Sequence, residues 1–164
     1  MLSGAVAWLP TGLYALCIEE ANRWHPLEAG GVFMGYRQDP LTVVITAIIG
    51  AGPIALHGSH YFEPDYDWQL KEIALHYERS GRRETYLGDW HSHPDAGTSQ
   101  LSMTDRRVLR RIINTPSART DLPLMAILHG NTNGWQMTVW RAQTKPRRIL
   151  WPKLIVDEVI LRLH

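Results

Sequence analysis

The stretch LPLMAILHGNTNGWQMTVWRA, residues 122–142, decides the fold class of this chain. It contains two apolar runs, 122–130 and 134–142, which flank a connection rich in Asn and Gly. Two such runs joined by a connection of this kind are typical of a β-hairpin. The stretch therefore predicts a pair of antiparallel strands.

Outward from the hairpin, helical and strand-like patterns alternate irregularly, which favours a mixed sheet flanked by helices, an α/β (α+β) fold. Thr11 is the expected N-cap of the first helix, and Gly81 is the expected stop of the second. The tail, 147–164, fits either a strand or a helix. Helices are predicted at 11–24, 66–80 and 102–114. Further strands are predicted at 30–37, 41–50, 55–62 and 85–92.

Length and composition limit the kinds of site that the chain can build. Its 164 residues and 18.7 kDa are the size of one domain. Cys17 is the single cysteine, so an internal disulfide and a cysteine-rich zinc module are both excluded. Eight histidines remain, and any metal site must therefore be made from His, Asp and Glu.

The lack of targeting segments and of a possible internal disulfide favours a cytoplasmic protein. No run approaches the roughly 20 apolar residues of a membrane span, and the N-terminal segment lacks the basic region of a secretory signal.

Residues 1–78 carry three basic and nine acidic side chains, whereas 79–164 carry fourteen basic and seven acidic ones. The two halves can intermix in one domain, or the basic half can dock an acidic partner or nucleic acid.

The stretch that carries chemistry is GDWHSHP, residues 88–94, followed by Ser102 and Asp105 in a Ser-x-x-Asp motif. Side chains at i and i+2 of a strand share a face, so His91 and His93 can point at one metal ion. Asp105, in the first turn of the next helix, can add an oxygen ligand. Two imidazoles and a carboxylate, with a fourth position open to water, form a catalytic zinc site, in which zinc lowers the pKa of that water to about 7.

Each part of this pattern also has a purely structural interpretation. His-x-His pairs are commonly just exposed, and Ser102 and Asp105 match a capping box at the start of a helix. Asp89 and Trp90 flank the ligands either as their outer partners or as core residues. The other histidines fit no ligand spacing and are interpreted as structural or surface residues: His25, His57, His60, His76, His129 and His164.

The complete string, HSHP, seven further residues and then Ser-x-x-Asp, resembles the signature of the JAMM (MPN+/JAB) metalloproteases, which remove ubiquitin and ubiquitin-like proteins from conjugates. The upstream part of that signature is present as PLEAGGVFMG, residues 26–35, with Glu28 before the glycine pair. The resemblance spans roughly residues 12–142. Eleven residues separate His93 from Asp105, where many members have ten; we expect the polar loop to absorb the extra residue without loss of the metal.

The resemblance implies one MPN/JAB-like domain over 1–164, with a curved mixed sheet and helices layered as in cytidine deaminases. It implies one Zn²⁺ per chain, bound by the two histidines of the motif and Asp105. Glu28, which by itself would be interpreted as a solvated loop residue, becomes the general base that takes a proton from water and passes it to the leaving amine. Ser102 becomes the hydrogen-bond donor to the oxyanion.

The chain is also similar to a short bacterial branch of that family, through its stand-alone length and the segments FEPD (62–65) and YLGDWH (86–91). Members of that branch often lie beside ubiquitin-like conjugation genes or in antiphage islands such as CBASS. The implied partners are a ubiquitin-like protein or its conjugated target, with an adenylating and a conjugating enzyme of the same operon. The modifier's tail is expected along a sheet edge; a membrane is not expected, and nucleic acid is disfavoured.

Three other functions stay open: a catalytically silent MPN-like scaffold, a RadC-like nucleic-acid-associated protein, and a metallopeptidase for small conjugates. The intact set of site residues argues against the scaffold. No aromatic and basic platform for single strands stands out, which argues against the second. A basic ridge on the third helix, which is either a solvated face or a grip for an acidic substrate surface, consists of Arg106, Arg107, Arg110 and Arg111.

Overall fold

A computed structural model describes residues 2–146 and 150–164. The elements follow in the order β1 (Leu2–Leu9), α1 (Thr11–Trp24), β2 (Gly30–Asp39), β3 (Thr42–Ile49), β4 (Leu56–His57), β5 (Phe62–Glu63), α2 (Tyr66–Arg79), β6 (Thr85–Pro94), α3 (Met103–Ile113), a 3₁₀ turn (Pro116–Ala118), β7 (Leu124–Asn131), β8 (Gly134–Lys145) and β9 (Lys153–Leu163). No helix in the described ranges is long and apolar enough to cross a membrane.

Seven of these strands form one closed barrel in the order β1-β3-β2-β6-β7-β8-β9, in which β9 pairs with β1. The pairs β1–β3, β1–β9 and β6–β7 are parallel, and the other neighbours are antiparallel. The predicted hairpin is β7–β8, with Leu124 opposite Arg141 and Asn131 opposite Gly134. The mixed sheet with flanking helices is therefore confirmed. The sequence did not predict that the sheet closes into a barrel.

Alternation along the strands divides the core between the two faces of the sheet. On β2, Phe33 belongs to the cluster against which α1 packs, whereas its neighbour Met34 belongs to a cluster against which Trp68 of α2 packs. On β7, Met125 and Ile127 belong to the cluster that contains Leu109 of α3. Helix α1 therefore covers one face, and α2 and α3 cover the other.

The three predicted helices are confirmed to within one residue at each end. The N-cap prediction is wrong: Pro10 occupies that position without a side-chain cap, and the Thr11 hydroxyl donates to the carbonyl of His164 over 3.3 Å. Gly81 does follow α2, with φ +70°. In the tail, residues 147–149 lie outside the described ranges, and 153–163 form a strand.

The single strand predicted at 55–62 is also wrong, because the chain reverses there to form the short hairpin β4–β5. The Gly58 N–H donates to the Tyr61 carbonyl over 2.9 Å and closes the turn. A Cβ at Gly58 would lie 2.1 Å from the Tyr61 ring, so a larger residue at this position would displace that ring. The hairpin places the segment 58–61 beside the end of β6 that carries the two histidines.

Gly88 lies where β6 approaches β7 closely. It has φ +150°, and a Cβ added there would lie 2.1 Å from the Leu124 carbonyl oxygen, so a substitution at this position tests the packing of the two strands. We expect Gly88→Ala to lower the free energy of unfolding by about 1–3 kcal/mol through backbone strain alone, with the steric contact adding to it. Gly12 of α1 has open space around it, so Gly12→Ala should instead raise stability, by up to about 1 kcal/mol. Urea unfolding of the metal-free wild-type protein and of the two variants measures both changes in stability. Equal stabilities of Gly88→Ala and Gly12→Ala would contradict the packing described here.

Candidate metal centre

Two histidines of β6 and one aspartate of α3 form a compact cluster. His91 Nε2 lies 3.0 Å from His93 Nε2 and 3.2 Å from Asp105 Oδ1. The side chains of His91 and Asp105 are only 12% and 8% exposed. The structure therefore brings together the three residues that the sequence predicted as ligands.

These separations fit a metal ion. Ligand atoms about 2.0–2.1 Å from a tetrahedral zinc ion lie about 3.3 Å from one another, close to the distances found here. Two imidazole nitrogens and a carboxylate oxygen are donors that zinc and related divalent metals accept. Among the described residues, His91, His93 and Asp105 are the group of this kind that could hold a metal ion.

The charge state of the cluster suits metal binding. Burial, together with the neighbouring His91 ring, lowers the pKa of His93 to about 4, so at neutral pH the His93 ring is uncharged and has a lone pair to donate. For Asp105, burial acts to raise the pKa, but hydrogen bonds from His91 and Ser102 outweigh it and hold the pKa well below its usual range. Asp105 is therefore an anion that can bind a cation without first losing a proton.

The geometry of Asp105 is compatible with both roles that the sequence left as alternatives, the helix cap and the metal ligand. Its Oδ2 accepts the Ser102 N–H over 2.6 Å, and its own N–H donates to Ser102 Oγ over 3.1 Å, which completes the capping box. Its Oδ1 faces His91. Oδ2 takes part in the cap and Oδ1 is left toward His91, so the capping box fixes the direction in which Oδ1 points.

Ser102 stands at the N-terminus of α3 and is exposed to the same cleft as the ligands. Because its Oγ accepts the Asp105 N–H, its own hydroxyl proton is left to donate elsewhere. That geometry agrees with the predicted position of an oxyanion donor, and the role itself stays a prediction.

Glu28 lies in the loop between α1 and β2 and faces the same cleft. Its neighbour Ala29 is bound to β6 twice: the Ala29 N–H donates to Ser92 Oγ over 2.9 Å, and the Ser92 N–H donates to the Ala29 carbonyl over 2.7 Å. Burial raises the pKa of Glu28, with His91 acting in the opposite direction. A carboxylate with a raised pKa is well suited to accept a proton near neutral pH.

The cleft has a volume of about 1150 Å³ and runs between α2 and α3 across β6. Inside the cleft, the Tyr86 hydroxyl donates a hydrogen bond to the Asp89 carboxylate over 2.8 Å. Trp90 is 2% exposed and belongs to the core. The apolar wall is made by Leu70, Ile73, Val108, Ile112 and Met125. The amphipathic pattern of each helix signals an apolar face, but the sequence did not reveal that both faces line one cleft.

Two histidines that fit no ligand spacing, and one arginine of the basic ridge, lie near the site. His60 lines the cleft, and the His57 ring donates from Nδ1 to the Glu28 carbonyl over 2.7 Å. All four arginines of the basic ridge are exposed. Arg111 also lines the cleft, where its guanidinium lies 5.8 Å from the centre of the Tyr66 ring.

Comparisons with known proteins agree with this site. A family model described as prokaryotic homologs of the JAB domain matches residues 10–144. The chain is 42% identical over 147 residues to the probable metalloprotease y4qB of Sinorhizobium fredii (strain NBRC 101917 / NGR234), covering 90% of each protein. The solution structure of protein DSY2949 from Desulfitobacterium hafniense superposes with a TM-score of 0.67 at 18% identity, covering 97% of this chain and 92% of that one, which shows a common fold.

Metal binding itself is testable without a substrate. We expect the wild-type chain to bind one zinc ion and His91→Ala to weaken that binding by more than about 100-fold, since loss of even an outer partner costs about 10–100-fold. His76→Ala, which removes a histidine of α2 that contacts Glu84, should leave the affinity unchanged. Competition titration with a chelating dye measures all three. A folded wild-type protein that binds no divalent metal would contradict the site.

Proposed function

We propose a function for this chain from one premise: it belongs to the family of prokaryotic homologs of the JAB domain. Its relative is a probable metalloprotease, and three residues of this chain could hold a metal ion. From these findings we infer a zinc-dependent isopeptidase or peptidase that cleaves a ubiquitin-like modifier from its conjugates or precursors. The observation that carries the proposal is that Glu28 and Ser102 open into the same cleft as the ligand cluster.

The residues of this chain divide the proposed chemistry among them. A zinc ion at the cluster would polarise the scissile carbonyl and lower the pKa of a water molecule. Glu28 accepts a proton from that water and later delivers it to the leaving amine, a role that its half-buried position and raised pKa support. The Ser102 hydroxyl donates a hydrogen bond to the oxyanion as it develops.

The cleft supports an extended peptide as the substrate. Ser59, His60 and Tyr61 of the β4–β5 turn line the same cleft as the cluster of His91, His93 and Asp105. An extended C-terminal tail lying beside this hairpin would bring its last carbonyl to Ser102 and Glu28. From the resemblance to the short bacterial branch, we propose as partners a ubiquitin-like protein and its target in the cytoplasm, together with the adenylating and conjugating enzymes of an operon that serves antiviral defence.

Replacement of the general base separates chemistry from metal binding. We expect Glu28→Gln to lower kcat by about 10²–10⁴-fold, because the amide cannot accept the proton, while the bound zinc stays at one ion per chain. The assay follows cleavage of a rhodamine amide at the C-terminal glycine of ubiquitin and of a bacterial ubiquitin-like protein. Glu63→Gln is the matched control, because Glu63 is an exposed carboxylate on β5.

Two results would contradict this assignment in different ways. A Glu28→Gln protein with wild-type kcat would remove the proposed role of the base. A zinc-loaded wild-type chain that leaves both glycine amides intact would remove the isopeptidase proposal, while the metal site would stand.

Substitution of Ser102 tests the oxyanion role against simple helix capping. We expect Ser102→Ala to lower kcat by about 10²–10³-fold and stability by about 1 kcal/mol. Asp65 caps α2 by accepting the Trp68 N–H over 3.2 Å, so Asp65→Ala should lose a similar amount of stability. Its kcat should stay near the wild-type value; equal losses of kcat in the two variants would show that Ser102 acts only as a cap.

A further inference from the structure

We propose that His57 is a positioning residue for Glu28, an inference that rests on the proposed role of Glu28 as the base. His57 lies on β4, 29 residues beyond Glu28 in sequence, and fits no ligand spacing. Its Nδ1 donates to the Glu28 carbonyl oxygen over 2.7 Å. A carbonyl can only accept, so the proton of the His57 ring is at Nδ1.

Both peptide planes that flank Glu28 are held from the same hairpin. The plane after Glu28 is fixed by His57 at its carbonyl and by Ser92 Oγ at the Ala29 N–H. The plane before Glu28 is fixed by its own N–H, which donates to the Gly58 carbonyl over 2.8 Å. Residues 57 and 58 therefore restrain the backbone of Glu28 on both sides, and Ser92 of β6 adds a second restraint on the plane after it.

The His57 ring is itself fixed on its faces. It stacks on Trp24 with the ring centres 3.5 Å apart and the planes at 7°, and Phe62 lies 5.4 Å away at a tilt. The Trp24 indole N–H in turn donates to Glu20 over 2.9 Å, which anchors that ring to α1. The position of His57 is thus determined by a helix on one side and a hairpin on the other.

Glu28 needs this support because it lies in a loop, outside any helix or strand. A proton acceptor must be held to within a fraction of an ångström, and a misplacement of about 1 Å can cost about 100-fold in rate. His57 therefore acts on the chemistry through the backbone of Glu28 and touches neither the metal ligands nor, in this proposal, the substrate.

Two substitutions separate the hydrogen bond from the stacking. His57→Phe keeps a ring against Trp24 and loses the donor, whereas His57→Asn keeps an N–H near the Nδ1 position and loses the ring. We expect His57→Phe to lower kcat on the ubiquitin rhodamine amide by about 10–100-fold with unchanged KM and zinc affinity. We expect His57→Asn to recover most of that kcat. His76→Phe, a change of the same kind on α2, should leave kcat unchanged.

A second measurement does not depend on activity. Hydrogen exchange of the Glu28 amide, followed in the zinc-loaded protein, should be faster in His57→Phe than in the wild type, and near the wild-type rate in His57→Asn and His76→Phe. Wild-type kcat together with wild-type exchange in His57→Phe would overturn the proposal, as would a His57→Asn protein as impaired as His57→Phe. If the zinc-loaded wild type leaves the amide intact, the proposed function fails, and the exchange rates still decide whether His57 holds Glu28.

Discussion

The site depends on the alternation of side chains along the last residues of β6. His91 and His93 point to the cleft, whereas Ser92, between them, points the other way, is fully buried and binds the backbone of Ala29. In this short segment of β6, His91 and His93 are the predicted metal ligands, and Ser92 holds the loop that carries Glu28, the proposed base. A shift of register by one residue would exchange these roles and lose the ligands and the tie to Glu28 together.

The third ligand is positioned by a different constraint, the start of a helix. The capping box fixes the Asp105 carboxylate by one oxygen and leaves the other toward His91. The same cap holds Ser102 at the edge of the cleft. Because one local motif orients two site residues, the loop from 95 to 101 can vary in length without moving Ser102 and Asp105 relative to each other.

Much of this arrangement could be predicted from sequence because it is local. The helix bounds, the β7–β8 hairpin, the shared face of His91 and His93 and the Ser102 cap each depend on residues within a few positions. The remainder depends on long-range contacts that no periodicity shows. Barrel closure joins β1 to β9, and the support of Glu28 comes from His57 and Gly58, which lie far from it in sequence.

The order of strands around the barrel has a consequence for how thermal motion reaches the site. The two terminal strands, β1 and β9, meet at one seam, and β6 lies diametrically opposite, three strand pairings away in either direction. Thermal opening of that seam would turn the barrel into an open sheet whose central strand is β6, so the pairings of β6 with its two neighbours, and the positions of both histidines, would be kept.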